Sequence, residues 1–268
     1  MSVSGYDGLD MSLTVQLLPT SAGDSSQVQS LTSYLVNGSL ALDAGSLGFA
    51  LSGDQLAGIE HILLSHSHLD HTASLPIAVD TAYSRLRHPL RVHASATTLA
   101  ALHTHLFNDD VWIDFTEFNL KGTKTPCLEF TTFNPGEPFE LEGLKITPIP
   151  VNHPVPTVGF LIESPTAAVL FTSDTWRTDA IWEAARKAVH LKAVFIECSF
   201  PDELGDLAQG SGHMTPKLVA EETGKIGRRV PVYCVHLKPS MRQKILPQLA
   251  GYAERGIEVA QIGKVYSF

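Results

Sequence analysis

The segment from His66 to His71, with the sequence HSHLDH, places four side chains that can bind a metal ion within six residues. It follows an apolar run at residues 62–64 and precedes a stretch with helical spacing, so we expect it where a strand ends and a helix begins. His66 and His68 would point the same way, because side chains alternate along a strand. Asp70 and His71 would then face the same space from the following turn. This density of ligands favours two adjacent metal ions over one. The alternative is a polar loop whose histidines bind only water.

Three further polar residues follow apolar, strand-like runs in the same way. His153 comes shortly after residue 149, Asp174 follows the run at 169–173, and His236 follows the run at 232–235. A single histidine at a strand end is more often structural than a ligand. Together with the HSHLDH segment these residues form a consistent set, because strand ends meet at sheet edges where a site can assemble.

These seven residues resemble the metal-binding set of the metallo-β-lactamase superfamily of hydrolases, over a range from about residue 13 to the C-terminus. The resemblance implies an α/β (α+β) protein with an αββα sandwich and a site along the edge between its sheets. A narrower resemblance is to class II 3′,5′-cyclic-nucleotide phosphodiesterases. The segment HSHLDH together with Ser74 and Leu75 nearly reproduces the signature of that family. Two positions differ from the signature: Thr72 stands where it has an aliphatic residue, and Asp80 does not match its last position. Further stretches similar to that family are 106–115 (LFNDDVWIDF), 195–200 (FIECSF), 211–216 (SGHMTP) and 236–239 (HLKP).

The narrower resemblance implies a cofactor of two divalent metal ions, with zinc expected and manganese or iron as alternatives. Carried over position by position, it divides the residues between the ions: His66, His68 and His153 on one, Asp70, His71 and His236 on the other, and Asp174 bridging both. Two dications, two carboxylates and a bridging hydroxide leave a net charge of about +1, which suits a phosphodiester monoanion.

The predicted reaction is attack of the bridging hydroxide on the cyclic phosphorus of cAMP or cGMP, giving a nucleoside 5′-monophosphate. We predict Asp70 and His213 as catalytic residues. His213 lies in a glycine-rich loop before Pro216 and is a candidate proton donor to the O3′ leaving group. The alternative is that His213 orients Asp70 and takes no part in proton transfer.

Two sets of strands must position these residues. Alternating or apolar runs predict strands at 13–18, 31–36, 39–43, 61–65, 91–94, 128–133, 139–141, 144–149, 158–163, 168–173, 193–197, 232–235 and 257–262. Helical spacing predicts helices at 53–57, 72–86, 95–106, 179–189, 215–226 and 241–251. Asn37-Gly38 predicts a hairpin turn, and Ser95 a helix N-cap. We expect residues 1–10 to form a loose tail and residues 1–268 a single domain.

Several residues near these elements have predicted supporting roles. Asp43 is expected to anchor the HSHLDH segment, which we call the metal loop, by hydrogen bonds. Glu197 and Ser199 are expected to lie just beyond the predicted ligands. His61 and His93 are expected to be structural. The predicted substrate contacts are three aromatic residues that could stack on a base: Phe107, Trp112 and Phe200.

Composition narrows the range of partners. Nineteen basic and twenty-eight acidic residues give a net charge of −9, which repels polyanions and argues against a nucleic-acid polymer as substrate. The expected substrate is instead a small cyclic nucleotide.

The three cysteines form no disulfide or zinc pattern, and Cys198 and Cys234 fall in apolar runs that predict burial. No secretory signal or transmembrane run is evident, so we expect a cytoplasmic protein without membrane contact. A homodimer is expected from the resemblance alone.

Other functions remain open. The nearest alternative is a ribonuclease Z-like RNA phosphodiesterase, which shares the metal set. A lactonase or thioesterase of the same superfamily would attack a carbonyl carbon. A metal-dependent binding protein without activity is disfavoured, because every ligand position is filled.

Overall fold

Short apolar strands form two sheets of seven strands each in the computed structural model, which describes residues 12–268. The first sheet contains, in spatial order, β14 (Val265–Ser267), β1 (Thr14–Leu17), β2 (Tyr34–Val36), β3 (Leu40–Leu42), β4 (His61–Leu63), β5 (Leu90–Ala94) and β6 (Leu128–Thr132). The second contains β13 (Ile257–Val259), β12 (Val232–Val235), β11 (Leu191–Glu197), β10 (Ala168–Phe171), β9 (Thr157–Glu163), β8 (Leu144–Val151) and β7 (Phe139–Leu141). A shared core of apolar side chains from both sheets, including Leu63 and Phe195, joins their inner faces.

Helices cover the outer faces. Within the described residues these are α1 (Leu47–Ala50), α2 (Gly53–Ala57), α3 (Leu69–Thr72), α4 (Leu75–Ala82), α5 (Ala96–His105), α6 (Ala180–Lys187), α7 (Gly205–Ser211), α8 (Pro216–Gly224) and α9 (Arg242–Ala250), with 3₁₀ turns at Asp202–Leu204 and Ala253–Arg255. Helices α4 and α5 pack on the first sheet, and α6, α8 and α9 pack on the second. This is the predicted αββα sandwich. None of the helices within residues 12–268 has the length and apolar character needed to span a bilayer.

Parallel strand pairing brings the loops of interest to one edge. Strands β3 to β6 are parallel to one another, and so are strands β10 to β13. The carboxyl ends of parallel neighbours lie at the same edge of a sheet. The segments after β4, β10 and β12 therefore emerge next to one another, as the positions of the polar residues predicted.

Local signals in the sequence correspond well to the observed elements. Asn37 and Gly38 both have positive φ, 50° and 74°, in the turn that joins β2 to β3. Such a turn matches the right-handed twist of the flanking strands and confirms the predicted hairpin. The Ser95 hydroxyl accepts a hydrogen bond from the Thr98 N–H and caps α5, as predicted. Cys198 and Cys234 are fully buried, also as predicted.

The helix predicted at 72–86 is shorter in the structure, where α4 covers Leu75–Ala82 and Thr72 ends the separate helix α3. The break lies at Ser74, whose hydroxyl donates to the Ala44 carbonyl oxygen and accepts from the Gly48 N–H. Pro76 then occupies the first turn of α4, where its missing N–H costs nothing. Helices α1 and α7 and strand β14 were not predicted. The predicted tail at 1–10 lies outside the described residues.

Candidate metal centre

Histidine and aspartate side chains from both sheets meet at the edge where β4, β8, β10 and β12 end. They are His66 and His68 after β4, Asp70 and His71 in the first turn of α3, His153 after β8, Asp174 after β10 and His236 after β12. The structure brings together all seven residues that the sequence singled out. Their role as metal ligands stays a prediction.

One cluster, which we call the three-histidine group, consists of His66, His68 and His153. One nitrogen of each ring lies within 4.8 Å of the others, and His153 Nε2 is 3.2 Å from His68 Nδ1. His153 Nδ1 lies 3.0 Å from the carbonyl oxygen of Gly212. Because a carbonyl oxygen can only accept, Nδ1 carries the proton and Nε2 keeps its lone pair toward the cluster.

The second cluster, the aspartate–histidine group, consists of Asp70, His71, Asp174 and His236, with ligand atoms within 4.8 Å of one another. His236 Nε2 lies 3.0 Å from Asp70 Oδ2, and His71 Nε2 lies 3.4 Å from Asp174 Oδ1. Asp174 Oδ2 is also 3.9 Å from Nε2 of His66. Asp174 therefore lies between the two groups, where its two oxygens can serve both.

Two buried nitrogen atoms support a metal-binding role. Within the described residues, His66 Nε2 and His71 Nε2 make no hydrogen bond. A buried polar atom without a partner costs roughly 1–3 kcal/mol, so these nitrogens require one. Imidazole nitrogen and carboxylate oxygen are the donors that zinc, manganese and iron accept in proteins. The donor set at this edge fits divalent metal ions.

The electrostatics of the cluster also favour a cation. Burial raises the pKa of Asp174, but the imidazoles of His236 and His71 outweigh it and hold that pKa well below its usual range. Burial, followed by the charge of His71, holds the pKa of His66 well below its usual value. These shifts favour the ionised form of Asp174 and the neutral form of His66, which are the forms that bind a metal ion. The pKa values of His71 and His236 are raised by the nearby carboxylates, so binding of a metal ion there would displace protons.

Asp43, at the end of β3, holds the metal loop in place. Its Oδ1 accepts from the Ser65 N–H at 2.8 Å, and its Oδ2 accepts from the Ser65 hydroxyl at 2.9 Å. The same Oδ2 lies 2.7 Å from His71 Nδ1, which turns His71 Nε2 toward Asp174. Burial lowers the pKa of His71, but Asp174 and Asp43 outweigh it and raise that pKa well above its usual value. These contacts confirm the predicted anchoring role of Asp43.

Glu197 and Ser199 form a layer beneath the ligands, as predicted. Glu197 is buried, and its Oε1 lies 2.7 Å from His213 Nδ1. Its Oε2 accepts from the Ser199 hydroxyl, which lies 3.0 Å from His236 Nδ1. The His213 ring stacks on His236 with centroids 5.7 Å apart. His213 is hydrogen-bonded to Glu197, and its choice between proton donor and positioning residue stays a prediction.

The aromatic residues predicted to contact substrate have different locations. Phe107 is fully buried in the core under the first sheet, with its ring centroid 6.0 Å from Phe130, so no face is open to a ligand. Half-buried Trp112 packs on the same core and pairs with Phe107 in an isolated bridge. This segment follows α5, which runs antiparallel to β5 and returns the chain to the opposite edge of the sheet. The full burial of Phe107 argues against its predicted stacking role, whereas the role of half-buried Trp112 stays a prediction.

Phe200, in contrast, lies beside the candidate site. Its ring centroid is 5.8 Å from that of His213, and Lys238 Nζ lies 5.3 Å from its centroid in a cation–π contact. Only 6% of Phe200 is exposed, so little of its ring is open to a base. Its role as a substrate contact stays a prediction.

Gly45 is a functional position that the sequence analysis did not single out. A Cβ at this position would lie 2.0 Å from the carbonyl oxygen of Asp70 and 2.7 Å from the backbone nitrogen of Thr32. Only glycine allows the metal loop to approach so closely. The available signal was the sequence Asp43-Ala44-Gly45 directly after a strand.

Comparisons with known proteins agree with this geometry. A family model described as a β-lactamase superfamily domain matches residues 33–236. A relative described as "Probable 3′,5′-cyclic-nucleotide phosphodiesterase" from Yersinia pestis is 27% identical over 85% of this chain and 81% of its own length. A ribonuclease Z from Mycobacterium bovis is 29% identical over 52% of each chain. The crystal structure of the metallo-β-lactamase fold protein YhfI from Bacillus subtilis superposes with a TM-score of 0.72 at 18% identity, covering 96% of this chain and 99% of that one. At that identity the likeness concerns the fold alone.

Proposed function

The chain belongs to the β-lactamase superfamily and has the fold of its metal-dependent hydrolases, and from this premise we propose that it hydrolyses 3′,5′-cyclic nucleotides to nucleoside 5′-monophosphates. The observation that carries the proposal is the meeting of seven ligand-type side chains with His213, which Glu197 fixes at the rim of the same cluster. The relative from Yersinia pestis supports the substrate class.

We propose that the chain holds two divalent cations, one in each group, with Asp174 between them. When bound, such ions lower the pKa of water and neutralise charge on phosphoryl oxygens. The three-histidine group supplies neutral donors, whereas the aspartate–histidine group contains two carboxylates. Zinc is the expected metal, and manganese and iron are compatible with the same donors.

His213 is the residue we propose as the proton donor. Hydrolysis of the cyclic ester breaks the bond between phosphorus and O3′, and the departing O3′ takes a proton. Glu197 accepts a hydrogen bond from Nδ1 of His213, which orients the ring. Nε2 is then the nitrogen that can deliver a proton to substrate. A positioned imidazole of this kind contributes about 10²–10⁴-fold to the rate.

The charge distribution supports a small anionic substrate. A net charge of −9 repels a polyanion at long range, whereas a cation-loaded site attracts a single phosphodiester at short range. The ligand-type residues lie at the edge of the sandwich, where His68 and Asp70 are partly exposed to solvent. No chain-wide basic surface is needed for such a ligand.

The second candidate function is a ribonuclease Z-like RNA phosphodiesterase. The 29% identity to the ribonuclease Z from Mycobacterium bovis favours it, although that match covers only half of each chain. Both functions use the same metal set and attack phosphorus. They differ in whether the substrate is a mononucleotide or a folded RNA.

The proposal is tested by activity measurements on purified protein loaded with zinc or manganese. The substrates are cAMP, cGMP, bis(p-nitrophenyl) phosphate, a precursor tRNA and an acyl lactone. We expect the highest kcat/KM on a cyclic nucleotide, with 5′-monophosphate as the sole product, and loss of activity in the Asp174→Asn variant. Preferential cleavage of the tRNA would favour the second candidate. Preference for the lactone would contradict both.

A further inference from the structure

Two residues of the aspartate–histidine group come from opposite halves of the sandwich. Asp70 follows β4 of the first sheet, and His236 follows β12 of the second, 166 residues later. Their side chains nevertheless approach to 3.0 Å, from His236 Nε2 to Asp70 Oδ2. Some structural element must set this distance, because neither strand pairs with the other.

The segment from Gln29 to Thr32, which we call the brace, is hydrogen-bonded to both residues. Gln29 Oε1 accepts from the backbone N–H of His236 at 2.7 Å. The backbone N–H of Thr32 donates to the carbonyl oxygen of Asp70 at 2.8 Å. Within the brace, Gln29 Nε2 donates to the Thr32 hydroxyl at 3.4 Å. One short segment thus connects the backbones of two residues that must share a cation.

The backbone of His236 depends on this contact. His236 has a positive φ of 56°, a conformation that costs energy for any residue other than glycine. Gln29 is buried, with 8% of its surface exposed, so water cannot readily replace its side chain at the His236 N–H. Removing the acceptor would leave a buried N–H unpaired and the strained conformation without support.

The three-histidine group is held by other partners. The Ser65 hydroxyl lies 2.9 Å from His66 Nδ1, and the Gly212 carbonyl oxygen accepts from His153 Nδ1. Within residues 12–268, no hydrogen bond joins the side chain of Gln29 to this group. The brace therefore acts on one half of the candidate site and not on the other.

We infer that Gln29 is a positioning residue that sets the affinity of the aspartate–histidine group for its metal ion without contacting that ion. The inference rests on the proposed binding of two cations. Gln29 is neutral, so its effect is on geometry and not on charge. Loss of a residue that hydrogen-bonds to a metal ligand without binding the metal itself typically weakens metal binding by about 10–100-fold.

The test is metal binding by the full chain with Gln29→Leu. Metal content is measured by mass spectrometry after dialysis, and affinity by competition with a chromophoric chelator. Wild type is expected to bind two zinc ions per chain. Gln29→Leu is expected to keep one at unchanged affinity and to bind the other roughly 10–100-fold more weakly. Added zinc should restore its activity with an unchanged KM.

Gln27→Leu is the matched control. Gln27 lies in the same loop, and its amide makes two hydrogen bonds to the backbone of Ile262, which is not a candidate ligand. The change removes an amide and adds a leucine in the same way, so this variant should bind both ions as wild type does. Gln29→Glu retains an acceptor oxygen and should retain most of the affinity of the aspartate–histidine group for its metal ion. Urea unfolding of each variant in EDTA establishes that it is folded.

Two results would overturn the inference: wild-type affinity for both ions in Gln29→Leu, or equal weakening of both ions in a variant that remains folded. A wild-type protein that binds only one ion would instead overturn the two-cation proposal itself. The two failures are therefore distinguishable, because the second is visible before any variant is made.

Discussion

The stability of the sandwich should fall between pH 7 and pH 5 because of a partly buried histidine pair away from the candidate site. His61 on β4 and His93 on β5 lie side by side, with His61 Nδ1 2.9 Å from His93 Nε2. His93 also stacks on Phe139 of the second sheet, at 6.2 Å between ring centroids. Burial, reinforced by the charges of His61 and Arg91, lowers the pKa of His93 from 6.5 to about 4.

The size of the effect follows from the two pKa values. The folded protein resists protonation of His93 down to about pH 4, whereas the unfolded chain takes up that proton below about pH 6.5. Between these values the unfolded chain binds more protons, so the free energy of unfolding decreases as the pH falls. At pH 5 the linkage amounts to about 2 kcal/mol relative to pH 8. Burial also lowers the pKa of His61, which acts in the same direction.

His93→Gln isolates this contribution, because an amide can hydrogen-bond to His61 but does not titrate. At pH 8 the variant should be less stable than wild type by roughly 1 kcal/mol, through loss of the ring contact with Phe139. At pH 5 the order should reverse, because only wild type carries the cost of about 2 kcal/mol. The measurement is urea unfolding of both proteins in EDTA at pH 8, 7, 6 and 5, so that metal release does not contribute. A stability difference that is constant with pH would refute the assignment.

Three further predictions concern the site and the core. His213→Ala should retain its metal ions and its rate on bis(p-nitrophenyl) phosphate. Its kcat on cAMP should fall by about 10²–10⁴-fold, because only the natural leaving group needs a proton. Loss of metal would indicate a structural role instead. Gly45→Ala should destabilise the fold by roughly 1–3 kcal/mol and reduce metal content, because the added methyl group collides with the Asp70 backbone. The control is Gly58→Ala, because a Cβ at residue 58 would make only an ordinary van der Waals contact. Equal effects of the two substitutions would contradict the argument. Burial raises the pKa of the thiols of Cys127, Cys198 and Cys234, to about 11 for Cys127. None of the three should therefore react with a disulfide reagent at pH 8 until guanidinium unfolds the chain. Rapid labelling of the native protein would show that a thiol is accessible.

Much of the fold could be predicted because its signals are local. Hairpin chemistry at Asn37-Gly38 and a capping serine at residue 95 act within a few residues, and both have the predicted roles. The ligand-type residues could be recognised for a similar reason, because they lie in short segments that follow apolar strands. The position of a strand end in sequence is therefore nearly enough to place a side chain at the edge of the sandwich.

Other features could not be predicted because they depend on contacts between distant segments. Gln29 lies in a polar loop whose composition suggests only a connection, yet its amide holds a residue 207 positions away. The burial of Phe107 could not be predicted for the opposite reason. A dense aromatic segment has the same composition whether it lines a pocket or fills a core, and only the path of α5 decides between them.

The spacing of the two ligand groups depends on core residues that no motif identifies. Phe171 lies three residues before Asp174, and Phe195 two residues before Glu197; their rings stack with centroids 5.2 Å apart beneath the site. Tyr34, from the first sheet, meets both rings edge-on at 5.2 and 5.8 Å. Each such contact adds about 0.5–1.5 kcal/mol to what burial contributes. These three rings join the sheets directly under Asp174, so they set how far the second sheet's ligands lie from those of the first. The proposed sharing of Asp174 between two cations therefore depends on the packing of the interior, because it requires both sheets to keep this separation.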